Sequence, residues 1–342
     1  MLVKYYFFTL FMMAAAVASA QSMYTNPVYA SDFADPTVIR GHDGSFYAYA
    51  TNTGVGSAFY NIQVAKSDDL VTWRLVGDAL PQKPVWADRD FWAPHVLYDA
   101  VTKKYFLYYS GESPDERTGK CIGVAVSERP EGPFRDTGKP LVCGESFINI
   151  DPMAFDDPVT GRKWLYWGSA HLPIRVQELA DDRVSFKAGT HSVEIVSAYR
   201  DSEYSKLIEG AWMHYRKGYY YVFYSGDNCC GDRANYAVMV SRARKADGPF
   251  EGFQEVNGKG SAPILVKNAV WMAPGHNSII TDDAGNDWIV YHAISTEAAL
   301  KGKGRIMLID RLKYRDDWPY VESRSPGTTP QATPVVKKET KP

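Results

Sequence analysis

Three carboxylic acids in this sequence have neighbours that suit acid and base catalysis. Glu209 lies in an apolar segment shortly before Trp212, and Asp35 and Asp151 each precede a proline. Cleavage of a glycosidic bond needs one carboxyl group that is protonated near neutral pH and another that is ionised. We therefore predict Asp35 as the general base, Glu209 as the general acid, and Asp151 as the neighbouring charge that keeps Glu209 protonated and orients it.

Each of these residues also has a purely structural interpretation. An Asp before a proline is typical of an ordinary turn, which would explain Asp35 or Asp151 taken alone. Glu209 is harder to explain in this way because its neighbours are apolar. The occurrence of all three at equivalent places of a repeat favours catalysis. His276 has two interpretations: a core imidazole, or a residue that supports a cation directly or through water.

A sequence repeat must position these side chains. Asp35, Ala93, Asp151 and Glu209 follow one another at intervals of 58 residues, and His276 follows after 67. A strand-like aromatic segment comes after each of these positions, and short strands with Gly and Asp turns complete each unit. Five units without helical periodicity predict an all-β fold, a five-bladed β-propeller, whereas a two-sheet sandwich would not explain the period.

The predicted fold has a consequence for the acidic residues. The first strand of every propeller blade lines the central channel, so that equivalent positions of different blades converge on the axis. We therefore expect Asp35, Asp151, Glu209 and His276 within one cavity, although they are far apart in the sequence.

Composition excludes some classes of function. The 38 Lys and Arg residues balance 40 Asp and Glu residues, and no basic stripe indicates a nucleic-acid interface. Aromatic residues are abundant, with 23 Tyr, 15 Phe and 9 Trp, which is typical of strands in an all-β core. The four cysteines allow three pairings, among which a bond between Cys121 and Cys143 and one between the neighbours Cys229 and Cys230 stay open. Their spacing gives no zinc pattern.

The two ends of the chain differ from the repeat region. Residues 1–20 combine Lys4, an apolar segment and the small residues before Gln21, a pattern that predicts a signal peptide cleaved near Ala20 and an exported protein, periplasmic or extracellular. No second apolar stretch is long enough to span a membrane. We assign residues 21–322 to the propeller. Residues 323–342 are rich in Pro, Thr and Lys, and we predict a disordered tail.

These motifs together resemble glycoside hydrolase family 43. The resemblance rests on Ala34-Asp35-Pro36, Trp92-Ala93-Pro94, Ile150-Asp151-Pro152, Ile208-Glu209-Gly210, Gly275-His276-Asn277 and Gly304-Arg305, which span all five units. It implies a five-bladed propeller that hydrolyses arabinose- or xylose-containing glycans with inversion, and it implies the same roles for the three acids.

The resemblance implies further site residues. Arg305 would lie near the substrate, and His276 would lie beside a calcium or other channel ion; no cofactor is required. His95 stands where the family usually has an Asp after Trp-Ala-Pro, which puts local substrate or ion contacts in question. We expect sugar stacking from Phe33, Trp92, Phe147, Trp212 and Trp271, and core positions for Trp164, Trp167 and Trp288.

An oligosaccharide or polysaccharide substrate is therefore expected. The first hypothesis is an α-L-arabinofuranosidase or arabinan-active hydrolase, favoured by the resemblance of Cys229-Cys230-Gly231 to some arabinan-acting members of the family. A β-xylosidase or xylan-active enzyme is the nearest alternative. A glycan-binding propeller without catalysis is the alternative of another class, and the presence of all three carboxylic acids argues against it.

Overall fold

A computed structural model describes residues 22–55, 57–145, 147–168, 170–255 and 260–337. The predicted signal peptide and its cleavage site lie outside the described residues. No helix in the described ranges is long and apolar enough to cross a membrane. The helical segments found there are single 3₁₀ turns at Gly231–Arg233, Ala298–Leu300 and Glu322–Arg324.

Twenty-six strands form the described part of the chain, most of them in five antiparallel sheets. The strands before and within blade I are β1 (Met23–Tyr24), β2 (Thr37–Arg40), β3 (Phe46–Ala50), β4 (Thr53–Val55), β5 (Ala58–Tyr60), β6 (Gln63–Ser67) and β7 (Arg74–Asp78). Blade II contains β8 (Arg89–Asp99), β9 (Lys104–Glu112), β10 (Lys120–Ser127), β11 (Arg135–Asp136) and β12 (Val142–Gly144).

The remaining blades follow in chain order. Blade III contains β13 (Met153–Asp156), β14 (Lys163–Trp167), β15 (Ile174–Leu179) and β16 (Val193–Val196). Blade IV contains β17 (Ile208–Arg216), β18 (Tyr219–Gly226), β19 (Ala237–Ala243), β20 (Glu251–Gly252) and β21 (Pro263–Leu265). Blade V contains β22 (Trp271–Thr281), β23 (Asp287–Ser295), β24 (Ile306–Arg315) and β25 (Trp318–Val321), and β26 (Gln331–Ala332) follows it.

The five sheets are arranged in a closed ring. The four main strands of each sheet pair in chain order, as in β2-β3-β6-β7 and β13-β14-β15-β16, while β12 pairs with β10 and β21 with β19. The first strand of each sheet contacts the first strands of the two neighbouring sheets: β8 follows β2, then β13, β17 and β22, and β22 contacts β2 again. This arrangement confirms the predicted five-bladed β-propeller, and it places the repeated sequence positions around one axis.

Aromatic side chains fill the space between adjacent blades. Trp164, Trp167 and Trp288 are buried, as predicted for core positions. The same clusters hold many of the tyrosines, whose hydroxyl groups find partners on a neighbouring blade; for example, Tyr166 donates to the Ala246 carbonyl at 2.8 Å. Burial of large aromatic rings is a major source of stability in such a fold.

The prediction of a disordered tail is wrong for residues 323–337, and residues 338–342 lie outside the described ranges. β26 pairs with β1, so that the last strand joins the first. Carboxylates of blade V hold this segment: Asp310 accepts from the Gln331 side chain at 2.5 Å, and Asp282 accepts from the Val335 backbone N–H at 3.0 Å. These polar contacts compensate for the scarcity of bulky apolar residues, which composition alone cannot reveal.

Both disulfides left open by the sequence are present. Cys121 and Cys143 are directly opposite each other on β10 and β12 and are bonded. Cys229 and Cys230 are bonded to each other in the loop that leaves β18.

Candidate active site

The first strands of the blades meet at a cavity of about 540 Å³ at the end of the central channel. This volume is in the range of small-ligand sites. Asp35, Asp151, Glu209 and His276 all line it, as the propeller geometry requires. The other lining residues are Trp92, Phe147, Ile150, Ala170, His171, Leu207, Asp227, Asn228, Cys229, Cys230, Tyr236 and Arg305.

The backbone turns sharply at the two aspartates. Asp35 and Asp151 both have φ of 57°, in the left-handed region that non-glycine residues seldom adopt. Each also precedes a proline, which further restricts its conformation. Strain of this kind is typical of functional sites. Here it aims each carboxylate into the cavity just before its strand begins.

Asp35 has several positive or hydrogen-donating neighbours. Its Oδ1 accepts a hydrogen bond from the Arg305 guanidinium at 2.9 Å, and its Oδ2 accepts one from the Thr51 hydroxyl. Burial would raise the pKa of Asp35, but Arg305, His276 and His292 together lower it well below the usual range. The carboxylate is therefore ionised throughout the pH range in which the protein would work.

Two histidines complete the surroundings of Asp35. His292 is fully buried, and its Nδ1 accepts the backbone N–H of Asp35 at 3.1 Å. Burial lowers the pKa of His292 to about 4, so its imidazole is neutral. The Nδ1 of His276 lies 3.4 Å from Asp35 Oδ1 and 3.9 Å from Asp151 Oδ2. His276 therefore faces both aspartates.

Asp151 is held by backbone groups rather than by a cation. Its own N–H donates to the Ser110 hydroxyl at 3.0 Å, and its Oδ2 accepts the N–H of Gly210 at 3.1 Å. Burial, and then the charges of Glu209 and Asp35, raise the pKa of Asp151 well above its usual range. Asp151 thus contacts the residue that follows Glu209 in the chain.

Glu209 has one described side-chain donor, the Tyr236 hydroxyl, which binds its Oε1. Burial raises the pKa of Glu209, the hydrogen bond from Tyr236 lowers it, and the charge of Asp35 raises it, with a net value of about 7. Because the titrations of Asp151 and Glu209 are coupled, the protons belong to the pair. At neutral pH the pair retains a proton that a reaction could use.

Two glycines allow the close packing of the site. Gly210 has φ of 63°, and a Cβ atom there would lie 3.1 Å from His276 Nδ1. A Cβ atom at Gly275 would lie 2.3 Å from the Tyr236 ring, an impossible contact. Glycine at these positions therefore lets His276 and Tyr236 approach the carboxyl groups.

Trp92 and Phe147, two of the predicted sugar-stacking residues, line one wall of the cavity. Their rings are nearly parallel, with centroids 6.3 Å apart, and Phe147 is 46% exposed. The Lys120 ammonium lies 3.8 Å from the centroid of the Trp92 ring and is paired with Asp90 and Glu112. The ammonium therefore packs against the indole from within the blade and fixes its orientation.

Three predicted sugar contacts are wrong. Phe33 has no exposed surface and packs edge-on against Tyr29, Trp212 packs against His95, and Trp271 is buried in the core shared by blades IV and V. None of them lines the cavity. Proximity in sequence to a catalytic position was misleading, because the direction of a nearby side chain depends on local backbone irregularities such as the register shift between Glu209 and Trp212.

His95, the departure from the family motif, is a structural residue. It is buried, its Nδ1 accepts the backbone N–H of Ala154 at 3.3 Å, and burial lowers its pKa to about 3. It therefore links blades II and III as a neutral imidazole. It does not line the cavity, so the expected change in substrate contacts at this position does not arise.

The residues around His276 do not form a multidentate metal site. Within the described ranges, no group of three or more His, Cys, Asp or Glu side chains is arranged to hold a metal ion. Calcium prefers six to eight oxygen ligands. An ion beside His276 would take this one imidazole and complete its coordination shell mainly with water.

Sequence reasoning missed several residues of the site. Thr51, Ser110, Tyr236 and His292 bind the carboxyl groups or the adjacent backbone, and all four come from other strands or loops than the acids. A single signal was available: His292 interrupts an otherwise apolar strand segment. The hydroxyl residues are indistinguishable in sequence from the many others in the blades.

Comparison with known proteins agrees with this geometry. Residues 24–319 match the family described as Glycosyl hydrolases family 43. The chain is 30% identical to a β-D-galactofuranosidase of Aspergillus niger, over 88% of this chain and 85% of the relative. It is 29% identical to an extracellular exo-α-(1→5)-L-arabinofuranosidase of Cellvibrio japonicus, over 86% of this chain and 87% of the relative. A solved thermostable family-43 glycoside hydrolase matches with a TM-score of 0.75 and 28% identity, covering 92% of this chain and 100% of that structure.

Proposed function

The chain belongs to glycosyl hydrolases family 43, and on this premise we propose that it hydrolyses arabinofuranosyl linkages in arabinose-containing plant polysaccharide. One observation carries the proposal. A single cavity holds Asp35, whose pKa is well below the usual range, and Glu209, whose pKa is raised to about 7. This division of protonation states is what an acid and base pair requires.

In the proposed reaction Asp35 acts as the general base. Its carboxylate accepts a proton from a water molecule, whose oxygen attacks the anomeric carbon. Glu209 donates its proton to the departing glycosidic oxygen, so that the bond to the leaving sugar breaks without release of an alkoxide. The expected outcome is inversion at the anomeric carbon. Arg305 and Thr51 keep the base ionised and oriented.

Asp151 modulates the acid in this proposal, although not as a permanently ionised neighbour. Its pKa is itself raised, so Asp151 and Glu209 share their protons in a coupled titration. The hydrogen bond from Gly210 to Asp151 ties this carboxyl group to the backbone beside Glu209. Asp151 thus influences both the charge and the position of the acid.

The sugar preference rests on the relatives. The Cellvibrio japonicus enzyme is named for arabinofuranose and the Aspergillus niger enzyme for galactofuranose. Both are five-membered ring sugars, which supports a furanoside substrate over a xylopyranoside. A β-xylosidase or xylan-active enzyme remains the alternative.

Hydrolysis of matched aryl glycosides tests the proposal. We expect the 4-nitrophenyl α-L-arabinofuranoside to be cleaved with a kcat/KM at least about tenfold above those of the β-D-galactofuranoside and the β-D-xylopyranoside. Debranched arabinan, branched arabinan and xylan then extend the comparison to polymers, and NMR of the first product reports the anomeric outcome. Preference for the xyloside would replace the arabinan proposal. A folded protein that binds arabinan but cleaves none of these substrates would be a glycan-binding propeller.

Two further expectations belong to this proposal. Export of the chain is supported by its N-terminal segment and by the extracellular relative, and N-terminal sequencing of the mature protein should begin at Gln21. The reaction consumes no cofactor. If an ion beside His276 contributes, EDTA will lower the activity and added calcium will restore it; unchanged activity would remove the ion from the proposal.

A further inference from the structure

The loop after β18 contributes an unusual chemical group to the wall of the cavity. Cys229 and Cys230, bonded to each other, line the same cavity as Glu209. Cys229 is partly buried and Cys230 is exposed. The disulfide therefore presents sulfur and methylene surface to the cavity. It does not connect two distant parts of the fold, because the two cysteines are adjacent in the sequence.

The loop that carries this disulfide is fixed at both ends to the predicted acid. On the incoming side, Ser225 is the strand partner of Glu209. On the outgoing side, Tyr236 donates its hydroxyl hydrogen to Glu209. The disulfide between them thus belongs to the part of the cavity that surrounds the acid, whereas Arg305 and Thr51 surround the base.

Hydrogen bonds hold the loop in one conformation. Asp227 accepts from the side chains of Asn228 at 2.9 Å and Asn235 at 2.8 Å, and the Asn235 N–H donates to the Asn228 carbonyl at 2.9 Å. The Lys267 ammonium donates to the Asn235 side chain at 2.8 Å. The sulfur surface is therefore preorganised, which lowers the entropic cost of binding a ligand on it.

The chemistry of this surface suits one face of a sugar. Sulfur is polarisable and forms favourable dispersion contacts, while it is a poor hydrogen-bond partner. Sugar rings present C–H groups on one face and hydroxyl groups at the rim. Asp227 and Asn228 line the cavity beside the disulfide and offer polar groups to such a rim.

We propose that the Cys229–Cys230 disulfide binds the sugar on the leaving-group side of the scissile bond and so determines specificity for oligosaccharides. The proposal rests on the function proposed above, because the leaving-group side is defined by Glu209 as the acid. The disulfide takes no part in bond cleavage itself.

Opening the disulfide tests the proposal. In the double variant Cys229→Ser/Cys230→Ser, we expect kcat/KM for arabinotriose to fall about tenfold, mainly through KM. Methyl α-L-arabinofuranoside has no leaving-group sugar, so its kcat/KM should change less than about twofold, with an unchanged pH profile. Equal losses on both substrates would show that the disulfide only supports Tyr236 and Glu209, and no loss on either would show that it contacts no substrate. Each result overturns the proposal.

Controls separate this effect from unfolding and from a wrong sugar assignment. The variant Cys121→Ser/Cys143→Ser removes the disulfide that lies outside the cavity, and it should lower the Tm without changing the substrate ratio. Reduction of that variant opens Cys229–Cys230 alone, and should reproduce the tenfold loss reversibly even if the serine variant misfolds. If wild type cleaves only xylosides, xylotriose and methyl β-D-xyloside replace the arabinosides; the arabinan proposal then fails while this one is still decided. A protein inert on every glycoside overturns both.

Discussion

Asp35 and Glu209 share one cavity, but the two carboxyl groups have different charged and hydrogen-bonding neighbours. Around Asp35, blades I and V supply a guanidinium at 2.9 Å, a threonine hydroxyl and two imidazoles. Around Glu209, a single tyrosine hydroxyl is the described hydrogen-bond donor to the carboxyl group, whose charge also acts on Asp151. Asp35 is buried and Glu209 is partly buried, and desolvation favours the neutral form of each. The difference in compensating charge therefore decides which one is ionised.

This comparison teaches that burial alone does not determine a protonation state. Desolvation yields a base where a guanidinium binds the carboxylate directly. It yields an acid where the one described hydrogen-bond donor is neutral and Arg305 and His171 act only through their charges. Arg305 has a second effect, because its own burial would be unfavourable without Asp35. The charged forms of Asp35 and Arg305 therefore stabilise each other, whereas the pKa of Glu209 depends on weaker interactions and is more easily changed.

Loss of the base should have the largest effect. In Asp35→Asn, we expect kcat to fall about 10³-fold or more for every substrate, because no group remains to take the proton from water. Steady-state rates on an aryl arabinofuranoside and on arabinotriose measure this. Loss on one substrate class only would contradict a role for Asp35 as general base.

The matched control for this variant is Asp78→Asn, in the outer strand of the same blade. Asp78 binds the backbone N–H groups of Asn61 and Ile62 outside the cavity. The Asp78→Asn variant should retain near wild-type turnover, even if its Tm is lower.

Loss of the acid should depend on the leaving group. In Glu209→Gln, we expect a loss of about 10²- to 10³-fold on arabinotriose, whose departing oxygen needs a proton. A 2,4-dinitrophenyl arabinofuranoside should lose less than about tenfold, since its phenolate leaves unassisted. Glu178→Gln, which changes a carboxyl group outside the cavity, serves as the control. Equal losses on both substrates would exclude Glu209 as the proton donor.

Removal of the Arg305 guanidinium should bring the pKa of Asp35 closer to that of Glu209. In Arg305→Met, Asp35 loses its closest positive charge and its pKa rises. Because the base must be ionised, kcat/KM should then decline at acidic pH, where wild type stays flat, and should drop about tenfold overall. A pH profile from 3.5 to 6 measures this, with Arg311→Met, in the strand that follows Arg305, as control. A flat profile in the variant would mean that His276 and His292 suffice to keep Asp35 ionised.

The smallest change concerns the tyrosine. The hydrogen bond from Tyr236 lowers the pKa of Glu209, so Tyr236→Phe should raise this pKa. Wild-type kcat/KM should fall as the pH rises through about 7, when Glu209 loses its proton, and the variant should fall at higher pH. At pH 6 the two should agree within about threefold. Tyr108→Phe, which removes a buried hydroxyl elsewhere, should not move the profile; a shift to lower pH in Tyr236→Phe would contradict the assignment.

The sequence was sufficient for the fold because each blade repeats its own hydrophobic pattern. The period of 58 residues places Asp35, Asp151 and Glu209 at equivalent positions, and ring geometry then brings them together. The polar residues around the acids could not be predicted in the same way. Tyr236 lines the cavity and His292 binds the Asp35 backbone, and the two rings stack where blade IV packs on blade V, which no local pattern encodes.

The aromatic predictions failed for a related reason. Trp212 follows Glu209 on the same strand, but an irregularity in the pairing between these two residues changes the face to which later side chains point. Trp92 and Phe147 reach the cavity, whereas Trp271 at the start of β22 is buried in the core. Such offsets depend on tertiary structure, and a sequence pattern cannot locate them.

The pairing of β1 with β26 has a consequence for the order of biosynthesis. Tyr24 and Asn26 also bind the Ile309 backbone of blade V, at 2.8 and 3.0 Å. Tyr24 and Asn26 are therefore synthesised long before the blade V residues that hold them. Four blades can be complete while the ring is still open. A chain that stops before residue 331 leaves β1 without its strand partner β26.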